Sequence, residues 1–462
     1  MMSSSDAIIW NIENDPQLRS TVMAVWVLDE APTDERMAAN IDRMVAAIPR
    51  LRQRVLEDRP RPRWDPIDDL DLADHYVTHE MAGATLDDVL AYAETWVREP
   101  FDRTRPLWKL GLVTGLEDGK AAIVIKVHHA IADGMGMVLM LGAFTDFERH
   151  PERVPTGKAV LELAEPPREA FSPVKRVAYK AGRALSTFAK GPADAVTDLA
   201  RTVGSAIRLV TPHRTPHSKL MVDRSEQLHM ATRSIDLAAF RHRAAAEGVS
   251  LNDLFVSIMA DALTDYHEEM GVACPRLRVH MPVDIRSGRT ANLAGNQFVP
   301  ARVSLDVRAA PGHTRRAHIA MQLETLRQEP ALGRINTVSA AIQRLGKPIS
   351  RWIIGGMMKG VDVLASNVPG PDFPLFLAGS KIEQFYAFGP PAGASLNATL
   401  FSYDGVVSIA LTIDAAAITD QTRFGCCLDQ VIAEAFPGSP RWASSLNQTL
   451  SELTPLQSRH AG

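Results

Sequence analysis

The chain has 462 residues, of which 46% are hydrophobic and 23% are charged, and its formal net charge is -4. This length and apolar content can bury more than one core, so two or three globular domains are expected. The slightly acidic balance, without a basic stripe interleaved with aromatic residues, argues against general nucleic-acid binding. Cys274, Cys426 and Cys427 form no disulfide framework, which favours the cytoplasm. Neither a signal peptide nor a membrane span is recognisable, so membrane contact is expected to be peripheral.

The beginning of the chain predicts alternating strands and helices. Residues 21–28 form an apolar run that predicts a strand. Residues 34–47 show helical periodicity, and Thr33 is a good N-cap for that helix. The first part of the protein is therefore expected to be a mixed α/β layer structure.

A strand, a loop and a helix are predicted around residues 121–144. Residues 121–127 are rich in β-branched side chains, and Asp118-Gly119 before them is a hairpin-turn signature. The apolar run 135–144 is long enough for a buried helix, with Asp133 near its start. The histidines between these two segments are therefore expected to be held rigidly at a strand end.

His128 and His129 are adjacent, and adjacent residues at a strand end point to opposite faces. One imidazole is thus predicted to face a cavity and the other to be buried. A neutral imidazole can take a proton from an alcohol and hand it to a leaving thiolate. Asp133 either orients a histidine or forms a salt bridge that fixes the loop. The salt bridge is favoured because an unpaired buried charge is costly, and Arg286 is the candidate partner.

Three other interpretations of this segment remain. His129 and Asp133 have a spacing that a metal site could use, although no further ligand cluster is nearby, so no metal is expected. Gly134 and Gly136 imitate a dinucleotide-binding fingerprint, but Leu139 stands where the third glycine belongs. The simplest alternative is a structural histidine pair packed at the end of a strand.

A basic segment at residues 168–219 separates the two halves of the sequence. Its apolar residues recur at helical spacing and break at Gly191-Pro192, which predicts two amphipathic basic helices. They either lie on an anionic lipid surface or form a packed connector between domains. Prolines at both ends of this segment place the predicted domains at 1–150, 151–220 and 221–462.

The second half also predicts strands and helices, without a detectable sequence repeat. Ser250 is a good N-cap, and an apolar stripe follows it at helical spacing. The predicted helices are 237–247 and 251–266, and the predicted strands are 230–235, 278–281, 298–303, 361–365 and 406–413.

The motif His128-His129-x-x-x-Asp133-Gly134 resembles the HHxxxDG signature of the acyltransferase superfamily that includes chloramphenicol acetyltransferase and peptide-synthetase condensation domains. Other segments resemble motifs of the bacterial wax ester synthase/acyl-CoA:diacylglycerol acyltransferases, and they cover nearly the whole chain. The clearest are Pro106-Leu107-Trp108, Asn252-Asp253 and Ser366-Asn367-Val368-Pro369-Gly370-Pro371, and weaker ones lie at 49–54, 101–105, 281–286, 295–296 and 402–405.

The resemblance implies an α/β fold of two chloramphenicol-acetyltransferase-like domains, joined by a helical connector, with an active-site tunnel between them. It also implies that His129 is a general base for direct transfer from acyl-CoA, without an acyl-enzyme. The absence of a Gly-x-Ser-x-Gly elbow agrees with that. His128 and Asp133 would support the loop, and Gly134 would allow close backbone approach.

The remaining motif residues each have a structural and a functional interpretation. Pro106-Leu107-Trp108 suits a strand start, in the core or beside substrate. Asn252-Asp253 lies in a first helical turn, where it either caps the helix or shapes a site for an anionic intermediate or a CoA phosphate. Ser366-Asn367 precedes prolines, so tight-turn architecture is favoured over an Asn367 contact to the oxyanion.

These observations favour an acyl-CoA-dependent O-acyltransferase that makes triacylglycerol or wax esters. Acyl-CoA would be a substrate, diacylglycerol or a fatty alcohol the acceptor, and no resident cofactor is expected. The alternatives are a condensation-type transferase that uses a carrier-protein thioester or another lipid acceptor, and a catalytically silent lipid-surface protein. The expected location is cytoplasmic, with peripheral association at the inner membrane or at lipid droplets.

Overall fold

The computed structural model describes residues 2–58, 61–132, 134–151, 215–284, 298–327, 352 and 355–437. Within these ranges, two six-stranded mixed sheets form the framework, accompanied by a two-stranded sheet. The predicted basic connector falls almost entirely outside the described residues, so its two helices stay a prediction.

The first sheet contains strands from both ends of the sequence, in the order β11-β12-β1-β6-β5-β4. Its neighbouring strands are antiparallel except for the parallel pair β4 and β5. The small sheet pairs β2 with β3. The strands are β1 (Thr21–Leu28), β2 (Gln53–Leu56), β3 (Arg63–Pro66), β4 (Tyr76–Ala84), β5 (Trp108–Leu116), β6 (Ala121–His128), β11 (Phe376–Leu377) and β12 (Ser380–Phe388).

The second sheet has the order β7-β14-β13-β10-β8-β9. Its strand β10 runs parallel to both β13 and β8, and the other pairs are antiparallel. Its central strands β13 and β14 are buried on both faces along almost their whole length. The strands are β7 (Leu228–Asp236), β8 (Arg276–Asp284), β9 (Phe298–Asp306), β10 (Val363–Pro369), β13 (Leu396–Tyr403) and β14 (Val406–Asp414).

The helices begin at side-chain caps that the sequence supplies. Thr33 accepts from the backbone of Arg36 at the start of α2, and Ser250 forms a capping box with Asp253 at the start of α6. Gly248, with φ of 67°, ends α5 in the left-handed conformation. The helices are α1 (Ser4–Ile12), α2 (Asp34–Ala47), α3 (Leu86–Arg98), α4 (Gly134–Phe144), α5 (Leu237–Glu247), α6 (Leu251–Glu269), α7 (His313–Arg327) and α8 (Gln421–Ala435).

The two sheets are joined through strand β12. Phe385 of β12 stacks on Phe401 of β13, with ring centroids 4.3 Å apart. The hydroxyl of Ser408 on β14 donates to the carbonyl oxygen of Phe385 over 2.8 Å. Because β12 also pairs with β1, residues 376–388 belong to the first sheet although they lie in the predicted range 221–462. The predicted division into three ranges did not include this exchange, and its boundaries stay a prediction.

Several predicted elements are confirmed. The strand at 21–28 and the helices at 34–47 and 237–247 have the predicted bounds. Asp118 and Gly119 both have positive φ, 58° and 72°, as the predicted hairpin turn requires. In the part of the chain that the structure describes, no helix is both long and apolar enough to cross a membrane.

Candidate active site

Strand β6 ends at the two histidines, and backbone hydrogen bonds fix their loop from both sides. The N–H of His128 donates to the carbonyl oxygen of Leu107 over 3.0 Å, and that of His129 donates to Ser20 over 2.8 Å. The loop also turns on itself, since the N–H of Ile131 donates to His128 over 2.9 Å. The backbone around His129 is therefore bonded to the segments that lead into β1 and β5.

The two imidazoles have different surroundings, as predicted from their alternation. His128 is fully buried, whereas His129 is half-buried. The Nδ1 atom of His128 accepts from the N–H of Ala130 over 3.0 Å, and its Nε2 contacts a carboxylate oxygen of Glu13. A ring nitrogen that accepts a hydrogen bond carries no proton, so the proton of His128 is on Nε2 and is donated to Glu13. His128 is thereby held as one neutral tautomer.

Glu13 is a site residue that the sequence did not reveal. It is the C-cap residue of α1, and the backbone N–H of Ser20 also donates to its carboxylate, over 3.4 Å. Burial opposes ionisation of this carboxyl group. The hydrogen bonds from His128 and from the backbone of Ser20 nevertheless lower the pKa of Glu13 below its ordinary value. Glu13 and His128 lie 115 residues apart, so no local pattern could connect them.

Arg50 holds the loop that follows His129. Its guanidinium donates to the carbonyl oxygens of Ala130 and Ile131, over 3.1 and 2.8 Å. The same group pairs with the fully buried Asp6 at 3.1 Å. An arginine was predicted to fix this loop, but through Asp133. Neither Asp133 nor Arg286 is among the described residues, so that pairing stays a prediction.

Pro106-Leu107-Trp108 is buried throughout and leads into β5, as predicted for a strand start. The carbonyl oxygen of Leu107 accepts from His128, and the indole N–H of Trp108 donates to the carbonyl oxygen of Leu51 over 2.9 Å. The Trp108 ring also stacks on His75, with centroids 4.5 Å apart. These contacts support the core interpretation of this motif.

The first turn of α6 holds Asn252 and Asp253, which the sequence assigned to either a cap or a site. The carboxylate of Asp253 accepts from the backbone N–H of Ser250 over 3.3 Å and pairs with Arg327. The amide of Asn252 lies 3.5 Å from the sulfur of Met281. The contacts of Asp253 support the capping interpretation.

The expectation of a tight turn at Ser366-Asn367 is wrong. Strand β10 begins at Val363, two residues later than predicted, and continues to Pro369, with Ser366 opposite Thr399 in β13. The described pairing with β8 covers only Val363 and Leu364, so a proline further along β10 can be accommodated without loss of a ladder bond on that side. Asn367 is exposed within this strand.

Gly134 begins α4, as expected for the residue that follows the histidine loop. Further along this helix, Met137 and Met140 are half-buried and pack against the apolar core that contains Trp108 and Ile131. They make the wall of this part of the molecule adaptable in shape, because methionine side chains are flexible.

A small cleft, about 20 Å³ in volume, lies between the two halves of the chain. It is beside the histidine strand, because Thr21 in its wall pairs with His128 across β1 and β6. Arg19 and Glu226 form an ion pair across the seam at 3.1 Å. The residues that line the cleft include Arg19, Thr21 and Arg98 from the first half and Ser225, Glu226, Leu228 and Gly393 from the second.

Comparison with known proteins agrees with this architecture. Residues 2–255 match the wax ester synthase/diacylglycerol acyltransferase catalytic domain, and residues 294–435 match the C-terminal domain of that family. A wax ester synthase/diacylglycerol acyltransferase from Marinobacter aquaeolei VT8 has a similar fold, with a TM-score of 0.63 at 20% identity over 94% of this chain and 98% of that one. The first condensation domain of the CDA synthetase also does, with a TM-score of 0.58 at 15% identity over 97% and 98%.

A Mycobacterium tuberculosis protein that carries a diacylglycerol O-acyltransferase name is 31% identical, over 94% of this chain and 92% of its own length. The fold is thus the two-domain α/β architecture shared with condensation domains. The chain belongs to the wax ester synthase/diacylglycerol acyltransferase family, and it is an acyltransferase.

Proposed function

We propose that this protein transfers a fatty acyl group from acyl-CoA to the hydroxyl group of diacylglycerol or of a long-chain alcohol, with His129 as the general base. The observation that carries the proposal is the difference between the two imidazoles. His128 is fully buried, whereas the imidazole of His129, on the same loop fixed by backbone bonds, is only half-buried.

Direct transfer needs only one group that moves a proton twice. His129 takes the proton of the acceptor hydroxyl as its oxygen attacks the thioester carbon, and a tetrahedral oxyanion forms. When the carbon–sulfur bond breaks, the CoA thiolate leaves with the proton that His129 returns. Such general base catalysis is worth roughly 10² to 10⁴ in rate. A thioester is already activated, so the proposal includes no resident cofactor.

The acceptor class rests on the family and on the apolar surroundings of the loop. Ala130, Ile131 and Ala132 belong to a core that includes aromatic residues from both sheets. A lipid acceptor would suit an apolar region of this kind, since apolar burial supplies most of the binding energy for an acyl chain. Asp133 is proposed to support the loop. A cytoplasmic protein that meets its acceptor at the inner membrane or at lipid droplets is part of the same proposal.

The test is an acyl-transfer assay with purified protein, palmitoyl-CoA and either dioleoylglycerol or hexadecanol. CoA thiol release and the ester product are both measured, with a His129→Ala variant as the control. Ester formation that depends on His129 supports the proposal. A folded protein that releases no thiol with either acceptor contradicts it and favours a catalytically silent lipid-surface protein.

The fold likeness to a condensation domain favours a second candidate, in which the acyl group arrives on a carrier protein. The same assay with a palmitoyl-phosphopantetheinyl carrier protein distinguishes the two. If ester forms from the acylated carrier protein and not from palmitoyl-CoA, the acyl donor is the carrier protein and not acyl-CoA.

A further inference from the structure

Lys126 is a buried ammonium group beside the histidine loop. Its side chain is 1% exposed, and it lies on β6 two residues before His128. Residues two apart in a strand share one face of the sheet, so the two side chains point to the same side. Nothing in the acyl-transfer step described above uses Lys126.

The ammonium group binds the segment that covers His128. Its Nζ donates to the carbonyl oxygen of Glu99 over 2.6 Å and lies 4.7 Å from the ring centroid of Phe101. The Phe101 ring in turn meets the imidazole of His128 nearly edge-on, with centroids 6.1 Å apart. Trp10 packs against the same imidazole, at 5.6 Å. His128 is therefore held between two aromatic rings, and Lys126 anchors one of them.

Burial destabilises the ammonium form of Lys126. Burial lowers the pKa of Lys126 to about 8, because an ammonium group loses its hydration in the interior. The charged groups around it act in both directions: Glu99 and Glu13 favour the ammonium form, and Lys109 and Arg19 oppose it. A methionine would fill similar space without the cost of desolvation, so packing alone gives no reason for a lysine here.

We infer that Lys126 is a positioning residue for acyl transfer: its ammonium group holds Glu99 and Phe101 against His128, and so keeps the loop that carries His129 in place. The contact between Phe101 and His128 matters because the Nδ1 atom of His128 accepts a hydrogen bond from Ala130. A rotation of the imidazole would break this bond to the loop. This inference rests on the proposed function. The neutral amine would bind both Glu99 and Phe101 more weakly, because cation–π attraction and charge-assisted hydrogen bonds need the proton.

The test compares pH profiles of kcat for the wild type, Lys126→Met and Lys126→Arg. The wild type is expected to lose activity as the pH rises through about 8, the pKa of Lys126. Lys126→Met is expected to lower kcat about tenfold at pH 7, since small displacements of a catalytic group cost up to about 100-fold. Its KM for palmitoyl-CoA should stay unchanged, and its alkaline loss should vanish. Lys126→Arg, which stays charged, should keep its activity at pH 9.

Three further variants keep the test decisive if Lys126→Met does not fold. Lys109 lies opposite Lys126 in the β5–β6 register, and its charge lowers the pKa of Lys126. Lys109→Met should therefore move the alkaline loss to higher pH, whereas Lys120→Met, whose lysine pairs with Glu383 at 3.0 Å, should not. Phe101→Leu removes the ring that Lys126 anchors against His128, so it should also lower kcat about tenfold at pH 7.

A readout that does not depend on turnover separates this inference from the proposed function. The ¹⁵N signals of the His128 ring, assigned by their loss in His128→Gln, should shift with a midpoint near pH 8 in the wild type and not in Lys126→Arg. Wild-type protein without any thiol release would contradict the proposed function alone. An unshifted His128 signal, or a Lys126→Met profile identical to that of the wild type, would overturn the role of Lys126.

Discussion

The residues that identify the family behave differently in the two halves of the molecule. In the first half, contacts from distant parts of the chain converge on one loop: Glu13 bonds to His128, and Arg50 bonds to the carbonyl oxygens of Ala130 and Ile131. In the second half, Asp253 holds a helix start and an arginine. The first half thus fixes the loop that carries His129, whereas Asp253 in the second half fixes the start of α6.

The largest effect is expected from His129→Ala. Loss of the general base should lower kcat by roughly 10² to 10⁴ while the fold persists, because the side chain is half-buried. The measurement is thiol release from palmitoyl-CoA, with thermal unfolding as the control for folding. Full activity in a folded variant would place the base elsewhere and remove the contrast between the halves.

The second-largest effect is expected from Arg50, which holds the loop after His129 by hydrogen bonds. Arg50→Met removes two hydrogen bonds to the loop and the ion pair with the buried carboxylate of Asp6. The free energy of unfolding should fall by about 3 kcal/mol, the usual consequence of breaking a buried pair from one side. Urea unfolding measures it, and the double variant with Asp6→Asn should recover part of the loss. Equal stability of Arg50→Met and the wild type would show that the contacts of Arg50 with Asp6 and the loop contribute little to stability.

A smaller effect is expected in the second half, and on stability alone. Asp253→Ala removes the capping contact to Ser250 and the pair with Arg327. The free energy of unfolding should decrease by about 1 kcal/mol. Because Asp253 is assigned to the helix start, kcat should not change. A tenfold fall in kcat would instead show that Asp253 contributes to the reaction, and it would contradict the difference drawn between the two halves.

The smallest effect is expected from Asp265 of α6, and it depends on pH. Burial, followed by repulsion from Asp261, raises the pKa of Asp265 to about 6. The folded protein therefore binds this proton more tightly than the unfolded chain, so the contribution of Asp265 to stability is present below pH 4 and is lost as the pH rises through 6. Asp265→Asn should gain stability over the wild type across that interval, by less than about 1 kcal/mol after solvent screening. Urea unfolding at pH 4.5 and 7.5 compares them; a gain that is the same at both values would contradict the raised pKa.

The elements that sequence predicted correctly are those with local signals. Periodicity and a cap define the helix that begins after Thr33, and two positive φ values follow from Asp118-Gly119. Strand alternation predicted that only one of His128 and His129 is buried, but the choice of His129 as the base came from the family resemblance. Local signals could not identify Arg50, which acts on residues 80 positions away. Nor could they extend β10 through Ser366, because that strand is decided by its register with β13.

The position of β12 has a consequence for how the protein is made. Strand β1 leaves the ribosome long before one of its partners, β12, because the two are far apart in the sequence: Lys381 bonds to Asp29 across 352 residues. During synthesis, β1 therefore presents an open, apolar edge of eight residues until the chain has passed Phe388. Such an edge invites pairing with other nascent chains. A chaperone that covers this edge until β12 has been made would prevent such pairing.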